Sequence, residues 1–308
     1  MASVDVGNIR NVVLLSHSGA GKTSLSEAMI FNAKHVTRLG RIEDGNTVSD
    51  FEPEEVKRSS SVQTTLIACE ADGYKVNLLD TPGYDDFQGE VTAALRVVES
   101  SMILLAAPSG VDVGTERAWN MSTDHGLPRM FLVNKMDREN ADFDRCVSEI
   151  QAAFGNQCVP FQIPIGNAQD FKGVVSVIHP PADVPAEVAD QMEAARERLI
   201  EAVAETDDAL ADRYLEGEEL SNEEVEEAVR AGILSGNLVP IVAASSTDNV
   251  GVAECMALVR EFFPSPKDGV KPEMATGGDG FKADPNGSLA AFVFKTTADP
   301  FVGKLSVF

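Results

Sequence analysis

Residues 12–31 leave this chain few ways to fold. The apolar run Val12-Val13-Leu14-Leu15 is followed by the small-residue stretch Ser16-His17-Ser18-Gly19-Ala20-Gly21-Lys22-Thr23, and then by the helix-like Leu25-Ser26-Glu27-Ala28-Met29-Ile30-Phe31. A strand, a tight loop and a helix in that order aim loop amides and a helix N-terminus at one point, which suits a phosphate. Gly21-Lys22-Thr23 ends the P-loop pattern G-x-x-x-x-G-K-[ST], with Ser16 at the place of its first Gly. In that pattern His17, Ser18, Gly19, Ala20, Gly21, Lys22, Thr23 and Ser24 line the phosphates. Lys22 reaches the β and γ phosphates, and Thr23 offers its hydroxyl to Mg²⁺, an ion that keeps most of its waters and takes few protein ligands. Alone, the match also fits an ordinary strand-to-helix turn with a surface lysine, so the rest of the chain must decide.

The pattern predicts a strand over 11–16 and a helix over 23–32. Strands over 64–70 and 74–79 are joined at Asp72-Gly73, a hairpin signal. Helices over 87–98, 115–124 and 142–154 then alternate with apolar strands over 102–107, 130–133 and 159–165. Such alternation predicts an α/β fold, a mostly parallel sheet flanked by helices. Ligands of open parallel sheets lie beyond the carboxyl ends of the strands, and two further motifs fall at such ends. Asp80-Thr81-Pro82-Gly83 offers a carboxylate that can hold Mg²⁺ through water and a Gly83 amide that can bond a γ-phosphate. Asn134-Lys135-Met136-Asp137 selects the base: guanine presents N1–H and N2–H₂ as paired donors that the Asp137 carboxylate accepts together, whereas adenine has an acceptor at N1. Asn134 is expected to tie this loop to the phosphate loop, Lys135 to lie over the base and Ser245 to seat it through backbone contacts. Three motifs thus converge on one crevice for GTP or GDP with Mg²⁺.

Between these motifs, 38–61 is polar and aperiodic and reads as a functional loop. After residue 167 the pattern changes: a short strand or hairpin arm over 171–178, a break at Pro180-Pro181, a helix over 188–205, and a capping box at Ser221-Asn222-Glu223-Glu224 that opens a helix through 234. Residues 181–230 hold 17 acidic and 4 basic residues, a net of −13, which fits either a solvated face or a docking surface for a basic partner. A strand over 238–244 and a helix over 250–263 complete the sheet unit. Residues 264–287 read as a Pro/Gly-rich linker, and 289–294 and 304–308 as the first strands of a truncated all-β module. The expected division is a GTP-binding domain over 1–167 and 237–264, an insertion over 168–236, a linker over 265–287 and the start of a β-barrel over 288–308.

Length and composition agree with this division. A chain of 308 residues exceeds one typical domain, and its net charge of −24 argues against broad, nonspecific affinity for nucleic acid while leaving room for a local RNA contact; neither sequence-specific DNA binding nor a membrane partner is expected. Cys69, Cys146, Cys158 and Cys255 form no C-x-x-C pair and read as buried thiols of a reducing compartment. The start lacks signal-peptide character and no apolar run reaches membrane-spanning length, so a soluble cytoplasmic protein is expected. His17, His35, His125 and His179 show no metal-ligand spacing, and Trp119 reads as core.

Taken together, these motifs resemble the GTP-binding domain of translational GTPases, elongation factor G in particular, over essentially the whole chain. The acidic insertion resembles that family's G′ subdomain, and Asp299-Pro300-Phe301-Val302-Gly303-Lys304-Leu305 the start of its second domain. The resemblance implies GTP hydrolysis with Lys22, Gly83 and Tyr84 at the reacting end, Ser61 as the switch I ligand to Mg²⁺ beside Thr23 and Asp80, and the ribosome as partner of a monomeric factor. It also implies that the insertion, with Glu223, Glu224, Glu226 and Glu227 on one helix, meets the basic stalk protein. Three positions depart from the usual pattern and are similar to a divergent elongation factor G-like, or G-2, branch. Tyr84 replaces a catalytic His, Ser61 replaces Thr, and Gly19 replaces an Asp that helps hold a monovalent cation. A tetracycline-type ribosomal-protection factor and a nearly inactive regulatory GTP-binding module are the alternatives.

Overall fold

The computed structural model describes residues 4–206, 208–218, 220–269, 284, 286–287, 289–299 and 303–308. Its centre is a seven-stranded sheet in the order β2 (Thr65–Ala71), β3 (Tyr74–Asp80), β1 (Ile9–Leu15), β4 (Ser100–Ala106), β5 (Arg129–Asn134), β9 (Val239–Ala243) and β6 (Cys158–Pro160). All neighbours run parallel except β2 and β3, which form the expected hairpin with Leu66 opposite Leu79 and Cys69 opposite Val76. Asp72 (φ 52°) and Gly73 (φ 81°) both take the left-handed conformation that a two-residue hairpin loop favours.

Helices cover both faces, as a parallel sheet buried on two sides requires. On one face α1 (Lys22–Asn32) and α9 (Val252–Phe262) pack on residues such as Val12, Leu14, Met102, Leu132 and Val242. On the other, α3 (Gln88–Leu95), α4 (Val113–Asp124) and α5 (Phe143–Phe154) cover Val13, Leu15, Ile103, Phe131 and Val133. The alternation along β1 sends neighbouring side chains to opposite cores. Trp119 of α4 stacks on Phe154 and Phe131 at centroid distances of 4.7 and 5.7 Å, with the Arg129 guanidinium 4.2 Å from its ring. All four cysteines are buried free thiols whose burial pushes their pKa values up. Among the described residues no helix is long and apolar enough to cross a membrane.

The acidic segment contributes α6 (Ala189–Ala204), α7 (Asp208–Leu215) and α8 (Asn222–Ser235). The Ser221 hydroxyl accepts from Glu224 N and the Glu224 carboxylate from Ser221 N, the reciprocal cap expected there. Glu224 also binds Arg213 at 2.6 Å, and Arg213 and the cap hold its carboxyl down to about 2.

Several expectations change. The apolar stretch 159–165 is two strands: β6 ends the main sheet, Phe161 turns, and β7 (Gln162–Ile165) leaves to pair antiparallel with β8 (Gly173–Ser176). An unbroken apolar run carries no mark of the point where it changes sheets. Segment 38–61 contains α2 (Pro53–Arg58), six residues too short to show a period, although Pro53 at its first position and Glu54-Glu55 behind it are helix-start signals. Residues 289–294 form no strand. Pairing begins at β10 (Lys295–Asp299), which joins β11 (Gly303–Val307), while Phe294 packs on the core and Phe292 lies under Arg96. Of the expected linker, 265–269 folds back, with Ser265 buried and its hydroxyl donating to Asp268, and most of the remainder lies outside the described residues.

At the end of the sheet opposite the crevice, Glu99 precedes β4 and accepts from Asn11 Nδ2 at 2.8 Å. Burial pushes its carboxyl up to about 7. A folded state that holds this proton more tightly than the unfolded chain loses stability as pH rises from about 4.5 to 7. Glu99→Gln, a neutral isostere, removes that loss. Denaturant unfolding of the two proteins at pH 5 and pH 8 should show the variant gaining about 2–3 kcal/mol over the wild type at the higher pH; a difference that does not change with pH would contradict the burial argument.

Candidate functional site

The loops that follow β1, β3, β5 and β9 meet at the carboxyl edge of the sheet. The first turns around Gly19 and Gly21 (φ 85° and 99°) into α1. Gly21 is required twice over: its conformation disfavours a side chain, and a Cβ there would stand 2.5 Å from Asn134 Nδ2. Asn134 stitches the loops together, its Nδ2 donating to Ala20 O at 2.9 Å and its Oδ1 accepting from Ser246 N and Oγ at 3.1 and 2.8 Å. His17 and Gly19 face solvent, while Lys22 and Thr23 are buried at the start of α1.

Lys22 Nζ donates to Ser16 Oγ at 2.7 Å, so the residue that replaces the first P-loop glycine carries the lysine's main contact. Burial lowers the Lys22 pKa to about 8, against the pull of Asp80 and Asp50. Gly83 closes over the same point: a Cβ there would lie 2.7 Å from Ser18 Cα and 2.8 Å from Lys22 Nζ. Only glycine lets the backbone after Asp80 approach the phosphate loop this closely. Tyr84 follows, 49% exposed, at the start of the turn Asp85–Phe87.

A chain of short oxygen contacts runs across the other side of the crevice. Thr23 Oγ1 lies 3.1 Å from Ser61 Oγ, which donates to Asp50 Oδ1 at 2.7 Å, and Ser49 Oγ donates to Asp80 Oδ2 at 2.6 Å. Burial raises Asp80, and it raises Asp50 to about 6. One oxygen on each, Asp80 Oδ1 and Asp50 Oδ2, is buried with no hydrogen-bond partner, a cost that folded proteins seldom leave standing. Two carboxylates with unsatisfied oxygens beside two hydroxyls form an all-oxygen donor set that fits Mg²⁺. Thr23, Ser61 and Asp80 are legible in the sequence as candidates; Ser49 and Asp50 are not, because they lie in an aperiodic polar stretch that only the fold carries to the site. The loop is held in this course by Glu55 of α2, whose carboxylate accepts from Val62 N and Gln63 N at 2.9 and 3.1 Å.

At the base end, Lys135 takes a left-handed conformation (φ 62°) and Met136 N donates to Ala244 O, which turns Asp137 toward the loop after β9. Ser245 Oγ donates to Asp137 Oδ1 at 2.6 Å, and Arg138 Nε lies 3.1 Å from Oδ2. Ser245, expected to act through its backbone, thus also aims the carboxylate with its hydroxyl. Ser24, the last of the expected phosphate residues, lies on α1 next to Thr23.

Residues 7–265 match the elongation factor Tu GTP binding domain family. The chain is similar to elongation factor G of Thermotoga sp. (strain RQ2), 33% identical over 99% of this chain and 46% of that protein, and to elongation factor G of Thermotoga maritima, 33% identical over 99% and 47%. It therefore spans about half the length of the curated relatives it matches. A crystal structure of a protein from Thermus thermophilus superposes with a TM-score of 0.84 at 32% identity, covering 97% of this chain and 45% of that one. A family match over most of the chain shows that it belongs to the elongation factor Tu GTP-binding domain family, a family of GTPases.

Proposed function

We propose that this chain is the nucleotide-binding and hydrolysing part of an elongation factor G-like, ribosome-associated translation factor, a Mg²⁺-dependent switch between GTP and GDP in the cytoplasm. The observation that carries this reading is the meeting of Lys22, Thr23, Asp80, Asn134 and Asp137 at one sheet edge, joined through Asn134 to both Ala20 and Ser246. His17 to Ser24 hold the phosphates with loop amides, and Lys22 moves from Ser16 to the β and γ phosphates. Thr23, Ser61 and Asp80, with Asp50 beside them, hold Mg²⁺, which neutralises phosphate charge when bound. Gly83 donates its amide to the γ-phosphate, and Lys135, Asp137 and Ser245 take the base.

Titration with GTP, GDP and ATP in Mg²⁺ tests the crevice as a whole: both guanine nucleotides should bind and ATP should not. Replacing Asp137 by Asn puts a donor opposite guanine's donors and loses hydrogen bonds to a charged group, each worth about 1.5–3 kcal/mol. GTP affinity should fall by roughly 10- to 100-fold, and xanthosine triphosphate should bind better than GTP. Unchanged GTP affinity in the variant would remove the base-reading role of Asp137.

Tyr84 next to Gly83 orients the attacking water through its hydroxyl, and without the charge that a His could carry it gives slow turnover. In the intact factor with ribosomes, Tyr84→Phe should lower the hydrolysis rate about fivefold, the worth of one hydrogen bond of about 1 kcal/mol, and Tyr84→His should raise it. Equal rates in all three proteins would leave Tyr84 a packing residue.

The acidic insertion serves as the docking surface for the basic stalk protein of the ribosome, with charge speeding the encounter. On α8, Glu224 caps the helix and pairs with Arg213, and Glu226 faces His179 and Arg230. Glu223 and Glu227 are exposed and take no part in those contacts. Reversing these two to Lys should slow stalk association about tenfold at low salt and much less at high salt. Association that is equally fast at both salt concentrations would make the helix a solvated face only.

A further inference from the structure

α1 carries a buried acid that none of the phosphate or base contacts uses. Glu27 lies one helical turn beyond Thr23, and only 1% of its surface is exposed. A glutamate is rarely buried so completely unless something satisfies it. Here a backbone N–H does so: Val48 N donates to Glu27 Oε1 at 2.5 Å, and the nearby amides of Ser49 and Gly40 also favour the charged carboxylate. Burial pushes the Glu27 pKa up, and these three amides pull it back. Gly40 is seated so closely that a Cβ would collide with Glu27 Oε2 and come within 3.1 Å of Asn46 O.

The backbone that Glu27 grips is the one that delivers the crevice's hidden oxygens. Ser49, the residue after the Val48 whose amide it binds, donates to Asp80, and the next residue, Asp50, accepts from Ser61 beside Thr23. One helix therefore holds both ends of the arrangement, Thr23 directly and the 40–50 segment through Glu27. We infer that Glu27 is the positioning residue that sets the 40–50 segment against the Mg²⁺ and γ-phosphate end of the crevice, and so favours binding of GTP with Mg²⁺ over binding of GDP. The inference rests on the reading of the crevice as a Mg²⁺·GTP site. Ordering a loop of this length costs conformational entropy at every residue, and a buried anchor removes part of that cost before the ligand arrives. Neither the P-loop nor the Asn134–Asp137 segment, which would hold GDP, hydrogen-bonds to the Glu27 carboxylate among the described residues.

Glu27→Gln keeps the shape but sets an NH₂ group against amide donors, and Gly40→Ala pushes on the same contact from the loop side. Both should weaken a non-hydrolysable GTP analogue with Mg²⁺ by about tenfold while changing GDP affinity less than twofold. Trypsin should also cut the nucleotide-free 308-residue chain faster after the exposed Arg41 in either variant. Equal losses for GTP and GDP would reduce Glu27 to a general packing role and overturn the inference. So would a Glu27→Gln protein that matches the wild type in affinity and in trypsin resistance while the wild type binds both guanine nucleotides and excludes ATP. A wild-type chain with no Mg²⁺-dependent binding of GTP would instead overturn the nucleotide reading, and the inference with it.

Discussion

The structure is organised around a buried ammonium. Lys22 sits at the start of α1 with a hydroxyl, Ser16 Oγ, as its close partner, and with the carboxylates of Asp80 and Asp50 near enough to act on it but not within ion-pair distance. A charge in that position is unfavourable unless fixed dipoles and opposite charges surround it. The turns at Gly19 and Gly21, the approach of Gly83 and the burial of Asp80 all follow from bringing those groups around one point. What the arrangement leaves uncompensated is what a phosphate and a metal ion would supply: anionic oxygens for the lysine, a cation for Asp80 and Asp50.

The sheet makes this possible because its parallel strands present their ends on one side. β1, β3, β5 and β9 each end within the crevice, and each contributes one short loop. These loops are then fastened to one another, by Asn134 between the phosphate and base ends and by Ser245 to Asp137. A site fastened in this way has its geometry set before a ligand enters, which lowers the ordering cost of binding. The 40–63 segment is different in kind. It reaches the crevice from outside the sheet, and its course depends on two buried glutamates, Glu27 and Glu55, that accept its backbone amides.

Much of this is legible in the sequence alone. The P-loop, Asp80 and Asn134-Lys135-Met136-Asp137 can be read because each joins a strand end to a fixed local pattern, and local patterns survive in sequence. Ser49, Asp50 and Glu27 cannot. Their roles come from contacts between residues 11 to 31 positions apart, each made with or within a stretch without periodicity. The same distinction explains 159–165, whose apolar character is plain in the sequence but whose change of sheet at Phe161 depends on Ile241 and Val177, to which its backbone bonds. The short α2 escapes a periodicity reading for lack of length. The ladder of β10 starts later than the apolar pattern suggests, because Phe292 and Phe294 are apolar for packing rather than for pairing.

Trp119, the chain's single tryptophan, is pressed between α5 and the sheet under Arg129. All indole fluorescence therefore comes from one place, the seam where α4 and α5 close over Phe131. That signal belongs to the half of the molecule whose side chains interlock across β5, and not to the segment over Glu27 on the opposite face. Emission during unfolding records the parting of one core, so the two faces of the sheet can be followed by different optical means: the native indole on one, and an attached dye in the polar loop on the other.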